Sequence, residues 1–263
     1  MASPVEYHAA DGVATLTLSR PDAMNSLDSA TKDALLEALR AAADDADVRC
    51  VVVTGVGRAF SVGQDLREHA DFLANKSLDE VWATVDHHYG PIAHTIATMD
   101  KPVIAAVNGV AAGAGMSIAL ACDLRLAAQS AGFNTAFTAV GLSCDTGSSW
   151  TLPRLVGRSV AMDLLLRPRT VRADEALQLG LVSRVVGDDD LASEAAAMAA
   201  ELAGGPTMAY AAVKQSVAFA ATHSLTESLV FESEMMARTG STDDHRDAVQ
   251  SFVAKEKPTF KGH

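Results

Sequence analysis

Residues 102–122 read PVIAAVNGVAAGAGMSIALAC, and the change of pattern inside this stretch decides the fold. Pro102 to Asn108 is a short, unbroken apolar run, the signature of a strand covered on both faces. Gly109 to Gly115 holds only glycine, alanine and one valine, and Met116 to Cys122 continues as an apolar helix. A buried strand that turns through small residues into a helix is the unit of a layered α/β core. At such a turn the first N–H groups of the helix have no internal partner and carry the positive end of its dipole. Small side chains there serve either the approach of a ligand or close helix–strand packing.

The same grammar recurs upstream. Cys50 to Gly55 (CVVVTG) is another buried strand, and the loop after it carries Gly63, where the chain turns sharply and leaves the next N–H free to meet a ligand. Val13 to Ser19 (VATLTLS) alternates Val or Leu with Thr or Ser between Asp11-Gly12 and Arg20-Pro21, which reads as a strand. Leu27 to Ala43 reads as an amphipathic helix with Leu35, Leu36 and Leu39 inward and Asp28 or Ser29 as cap. Leu66 to Lys76 is polar and is expected to be mobile; a long helix then ends near Met99. Downstream, Asp123 to Ala127 and Gly132 to Phe133 are short strand candidates, and almost everything from Thr146 onward reads helical. From about Asp190 the tail has no sheet left to cover, so it should pack on the core or on a neighbouring subunit. No internal repeat is visible. The expected division is a core over 1–195 and a helical region over 196–263 within one functional unit.

Composition narrows the function. The chain has 263 residues, 49% hydrophobic and 21% charged, and a chain of this size buries roughly 70 to 75% of the surface its unfolded form exposes, so it needs no disulfide or structural metal. Cys50, Cys122 and Cys144 are isolated, without paired or zinc-ligand spacing, which points to a reducing compartment. The N-terminus MASPVEYHAADG lacks a secretion signal and no apolar run is long enough to span a bilayer, so a cytoplasmic protein without a membrane partner is expected. A net charge of −12 argues against nucleic acid. A polyanionic ligand would need a local basic exception, for which Arg20, Arg58, Arg67, Lys101, Lys255, Lys257 and Lys261 are the candidates. No residue cluster implies a metal or redox cofactor.

Taken together, the two glycine turns have a chemical use. Two backbone donors from separate strand ends, aimed at one thioester oxygen, would stabilise the negative charge of an enolate without side-chain rearrangement. Around them lie Ser19-Arg20-Pro21, Ala23-Met24-Asn25-Ser26-Leu27, Ala59 to Leu66 (AFSVGQDL), Lys101 to Gly109 (KPVIAAVNG), Cys122-Asp123, Leu152 to Gly157 (LPRLVG) and Ala176 to Val182. In this order and spacing the chain resembles the enoyl-CoA hydratase/isomerase (crotonase) superfamily over nearly its whole length. The resemblance implies a crotonase-like spiral of repeated ββα units and a C-terminal helical region that makes trimers or dimers of trimers. It also implies an acyl-CoA substrate bound in a bent pose, with coenzyme A present only as part of that substrate. Carried over by position, the oxyanion donors are the N–H groups of Gln64 and Ala114. The adenine and pantetheine contacts fall around Ala23, Met24, Val62, Gln64, Asp65 and Leu66.

Departures from the family pattern separate the reactions. Hydratases of the family use two glutamates to position and activate water, and Ser117 and Phe137 stand in their places. Neither replaces a carboxylate. The remaining acid is Asp145, which has two readings: an N-cap for the helix that follows it, or an acid/base facing the acyl group, as in branches that isomerise ring epoxides or double bonds in phenylacetate breakdown. Among Phe137, Val140 and Trp150 such a carboxylate would be desolvated and its pKa raised. The 4-chlorobenzoyl-CoA dehalogenase resembles the chain at Asp145, but its histidine aligns with Gly90 and its tryptophan with Phe137, which disfavours aromatic displacement. His87, His88 and His94 are read as helix-surface residues. An acyl-CoA isomerase with Asp145 as acid/base is the preferred expectation; a specialised enoyl-CoA hydratase and a non-catalytic acyl-CoA-binding homologue are the alternatives.

Overall fold

A computed structural model describes residues 3–263. The chain opens with β1 (Val5–Ala10), turns at Asp11-Gly12 and returns as β2 (Val13–Leu18). Alternation of Leu and Thr along β2 puts Ala14, Leu16 and Leu18 into the core. Helix α1 (Ser29–Asp44) follows, capped by the Asp28 carboxylate, which accepts the Thr31 N–H at 2.8 Å.

Three ββα units then follow one another. The first is β3 (Cys50–Gly55), β4 (Ala59–Ser61) and the helices α2 (Leu66–Asn75), α3 (Leu78–Thr84) and α4 (Gly90–Thr98). The second is β5 (Val103–Val107), β6 (Val110–Ala112) and α5 (Ala114–Ala121), and the third is β7 (Leu124–Ala128), β8 (Gly132–Asn134) and α6 (Ser148–Leu166). In each unit the first strand joins a six-stranded sheet, ordered β1-β2-β3-β5-β7-β10, and the second joins a four-stranded sheet, ordered β4-β6-β8-β9. The unit strands pair in parallel, Val51 beside Val103 and Ala59 beside Val110, so the chain advances as a spiral. Every residue of β5 is buried, as its unbroken apolar run requires. The short strands β9 (Val171–Arg172) and β10 (Arg184–Val186) flank α7 (Ala173–Leu179). Thr146 onward is therefore not purely helical.

Helix α8 (Leu191–Ala203) lays Leu191, Ala195, Ala199 and Ala203 into the core. Residue 195, where the helical region was expected to begin, lies within this helix. Helices α9 (Thr207–Ala220), α10 (Leu225–Gly240) and α11 (Asp243–Ala254) expose Val213, Val217, Leu225, Leu229, Val230, Met236 and Phe252. A half-buried ion pair fixes α9 to the sheet: Lys214 Nζ lies 2.7 Å from Asp123 Oδ2, which also accepts the Val103 N–H. No helix among the described residues is long and apolar enough to cross a membrane.

The polar stretch Leu66 to Lys76 holds helix α2. Asp65 caps its start by accepting the Arg67 and Glu68 N–H groups, and the Glu68 carboxylate accepts the Ser29 N–H at 3.0 Å. Lys101, read as a candidate ligand base, is buried and donates to the carbonyls of Ala42 and Asp45, closing the C-terminal end of α1. Burial also pushes the Cys50 and Cys122 thiols up to about 12, so both stay protonated and inert at neutral pH.

The connection from β5 to β6 passes closely over the one from β3 to β4 at Gly109, where a Cβ would overlap the Arg58 carbonyl and lie 3.0 Å from the Ala59 nitrogen. Both obstacles are backbone and cannot turn aside. Gly109→Ala should therefore lower the unfolding free energy by about 1 to 3 kcal/mol, read as a lower urea midpoint at unchanged m-value.

Candidate active site

The spiral brings the two glycine turns together. Leu27 donates its N–H to the Gly63 carbonyl at 2.8 Å and accepts the Asp65 N–H at 3.1 Å. Gln64 lies between these two bonds, so its own N–H faces the other way, and it has no partner among the described residues. Ala114 is the first residue of α5, so its N–H has no partner within the helix. Gly63 joins the two: its φ of 81° is left-handed, and a Cβ there would sit 2.8 Å from the Ala112 oxygen and 3.0 Å from the Ala114 nitrogen. A side chain at residue 63 would push apart the two amides that the family pattern pairs.

Both turns open on a cleft with a cavity volume of about 120 Å³. Its lining is mostly apolar, with Val62, Leu66, Trp82, Val85, Ala136, Phe137, Val140 and Leu142 beside Gly113 and Ala114. Asp145 lies in this lining, and among the described residues there it is the one carboxylate. Its side chain accepts the Thr146 hydroxyl at 2.7 Å and makes no bond to the N-terminus of α6, where Gly147 occupies the cap position without a side-chain bond. Only the Asp145 backbone carbonyl serves that turn, accepting the Ser148 N–H at 3.0 Å. The cap reading of the carboxylate is thus not what the structure contains. Burial pushes the Asp145 carboxyl above the ordinary carboxylate range, against the opposing pull of the Thr146 hydroxyl and the charge of Lys32. Trp150, expected beside Asp145, instead lies exposed under the Arg154 guanidinium, 3.2 Å from its ring centre, because α6 carries it outward.

Ser117 and Phe137, at the positions of the family's two glutamates, differ in fate. The Ser117 hydroxyl donates back to the Gly113 carbonyl at 3.0 Å and is bonded to the Ser148 hydroxyl, so it ties α5 to the start of α6. Phe137 faces the cleft as an apolar wall. Of the positions expected to meet coenzyme A, Val62, Gln64 and Leu66 line the cleft. Ala23 and Met24 lie beside it, where the Met24 carbonyl accepts the Val62 N–H at 3.3 Å. The Asp65 carboxylate is engaged by the Ser26 hydroxyl and the Arg20 guanidinium in addition to the start of α2. Arg20 also pairs with Asp28 at 3.0 Å. His88 bridges the Thr84 hydroxyl and Asp33, and neither it nor His87 or His94 reaches the cleft.

Sequence reading missed the polar part of the wall. Tyr89, buried, donates its hydroxyl to Gln64 Oε1 at 2.5 Å. Lys32, also buried, donates to the same oxygen at 3.2 Å and to the Thr84 hydroxyl at 2.8 Å. A signal for Lys32 existed: it stands three, four and seven residues before Leu35, Leu36 and Leu39, on the inward stripe of α1 where a charged residue is out of place. Tyr89 lies in a π-helical turn, Val85–Tyr89, which no periodicity announces.

Comparisons with known proteins identify the family. A family model described as enoyl-CoA hydratase/isomerase matches residues 8–263. The chain is 39% identical over 255 residues to the 1,2-epoxyphenylacetyl-CoA isomerase of Escherichia coli strain K12, covering 97% of each. It is 41% identical over 258 residues to a protein named probable enoyl-CoA hydratase in Rhodobacter capsulatus, covering 98% of each. A crystal structure titled as an enoyl-CoA hydratase/isomerase from Mycobacterium abscessus superposes with a TM-score of 0.95 at 42% identity, over 98% of this chain and 100% of that one. The chain belongs to the enoyl-CoA hydratase/isomerase family.

Proposed function

We propose that this protein moves a double bond within an unsaturated acyl-CoA thioester, aliphatic or phenylacetate-derived, with Asp145 as its single acid/base. The observation that carries this reading is the place of Asp145: a carboxylate in an apolar cleft, unspent on its helix, beside the turns that hold the Gln64 and Ala114 amides. In this mechanism the thioester oxygen accepts both N–H groups, which raises the acidity of the α-carbon. Asp145 takes the α-proton, the electron pair spreads along the conjugated dienolate, and the same carboxyl returns a proton to the γ-carbon. One group suffices because it gives back what it took.

Addition of water is the weaker reading. It calls for a second positioned carboxylate, and at the two family positions Ser117 is bonded within its own helix and to α6 while Phe137 exchanges no proton. The Escherichia coli relative, named 1,2-epoxyphenylacetyl-CoA isomerase, supports an isomerase and a phenylacetate-derived acyl group. Phe137, Trp82 and Leu142 give such a tail apolar contacts. Coenzyme A enters as part of the substrate.

The exposed apolar residues of α9 to α11 support a homotrimer or a dimer of trimers. Light scattering coupled to gel filtration should return three or six times the 27.4 kDa chain mass; a monomer would oppose this assembly. Asp145→Asn should slow bond migration by roughly 10²- to 10⁴-fold, measured with β,γ-unsaturated thioesters in deuterated water, while thioester affinity by calorimetry stays within a few fold. Wild-type hydration of crotonyl-CoA without migration would instead favour the hydratase, and binding without any turnover would favour an acyl-CoA-binding homologue. Because burial raises the Asp145 pKa and the base must be ionised, kcat/KM should fall with acid along a limb centred above the ordinary aspartate value of about 3.9. A limb at or below that value would show that Asp145 is not the titrating base.

A further inference from the structure

Lys32 is a buried ammonium without a bonded counter-ion among the described residues. Its two hydrogen-bond acceptors, Gln64 Oε1 and Thr84 Oγ1, are both neutral, and its third neighbour is the Tyr89 ring, whose centre lies 5.3 Å from Nζ. The carboxylates that act on it do so through space: Glu68 from α2, Asp28 and Asp33 from α1 and its cap, and Asp145 from the loop before α6. His88 touches the same Thr84 hydroxyl from the π turn. Leaving a cation under the core face of α1 costs several kcal/mol in most settings, and an apolar residue of similar volume is often as stable or more so. The residues between Lys32 and the cleft are Gln64, Thr84 and Tyr89, all three of which line the cleft that holds Asp145.

We propose that Lys32 is a positioning residue of the site: with Tyr89 it fixes Gln64 from behind, and its charge is the counter-charge for the carboxylate and the enolate that occupy the cleft in turn. This rests on the enolate reading given above. Gln64 has both ends in use. Its side-chain oxygen is held by two donors in the wall, and its backbone N–H is left without a partner among the described residues. The negative charge moves during turnover from Asp145 to the thioester oxygen and back, and a fixed cation behind the wall stays near it throughout. In the resting protein the charge of Lys32 opposes the effect of burial on Asp145 and keeps more of that carboxyl ionised. Burial in turn pulls the Lys32 ammonium below the usual lysine range, so the same cation is lost at alkaline pH sooner than a surface lysine would be.

The test is a carboxyl-detected NMR titration of Asp145, assigned by its absence in Asp145→Asn, in the wild type and in Lys32→Met and Lys32→Gln. Both neutral variants should shift the Asp145 midpoint upward, with a melting temperature equal to or above wild type. They should lower kcat for α-proton exchange by roughly 10-fold or more at near-constant KM, and remove the alkaline limb of the rate profile. Tyr89→Phe, which removes a donor without a charge, should slow exchange while leaving the midpoint in place. An Asp145 midpoint that does not move in either Lys32 variant overturns the proposal, as does a loss of exchange that tracks a loss of fold. The titration needs no substrate, so the two readings fail separately. A moved midpoint in a protein that exchanges no thioester proton leaves the coupling and removes the isomerase; an unmoved midpoint in an active isomerase removes only the role of Lys32.

Discussion

The site depends on how closely two strand-to-helix turns pass each other. At Gly63 and Gly109 the neighbouring chain lies where a side chain would begin, against the Ala114 amide in one case and the Arg58 carbonyl in the other. The Gly63 contact lies where the neighbouring strands β4 and β6 of the four-stranded sheet end, and it sets the Gln64 and Ala114 amides beside one cleft. Backbone amides held at the ends of paired strands cannot rotate away when charge develops next to them, which makes such donors effective for an enolate. The spiral is therefore more than a container: each ββα unit delivers one strand end to the same place.

Charge in this cleft is governed by burial on both sides. Asp145 is desolvated by Phe137, Val140 and Leu142, which favours its protonated form, whereas the cation of Lys32 behind the wall favours the ionised form. A proton shuttle needs both states within reach at one pH. The opposed shifts of a carboxyl raised by burial and a lysine lowered by burial move the two groups toward each other. Ser117, by contrast, has its hydroxyl committed to Gly113 and Ser148, and that bond holds the loop bearing Asp145 against the helix bearing Ala114.

Much of this was legible in the sequence where one physical rule dominated. Continuous apolar runs marked β3 and β5, the Leu-Thr alternation marked β2, and the family motifs placed Gln64, Ala114 and Asp145, which the fold brings to one cleft. The repeat was not legible, because its second strands are three residues long (Ala59–Ser61, Val110–Ala112 and Gly132–Asn134) and carry no period of their own. Helix α2 was not legible as a helix because its composition is polar; it is supported by the Asp65 cap and by Glu68 reaching Ser29, neither of which is a hydrophobic signal. Lys101 and Lys32 look like surface bases in composition, and only the packing of α1 shows that one closes a helix end and the other lies under the cleft wall.

The most direct measurement follows a label through one turnover. A β,γ-unsaturated thioester carrying deuterium at the α-carbon, converted in ordinary water and analysed by NMR and mass, reports whether one base both removes and returns the proton. The account predicts a conjugated product with part of the deuterium carried to the γ-carbon, and loss of that product in Asp145→Asn. A hydrated thioester with the double bond unmoved, or migration that continues undiminished in Asp145→Asn, would contradict it.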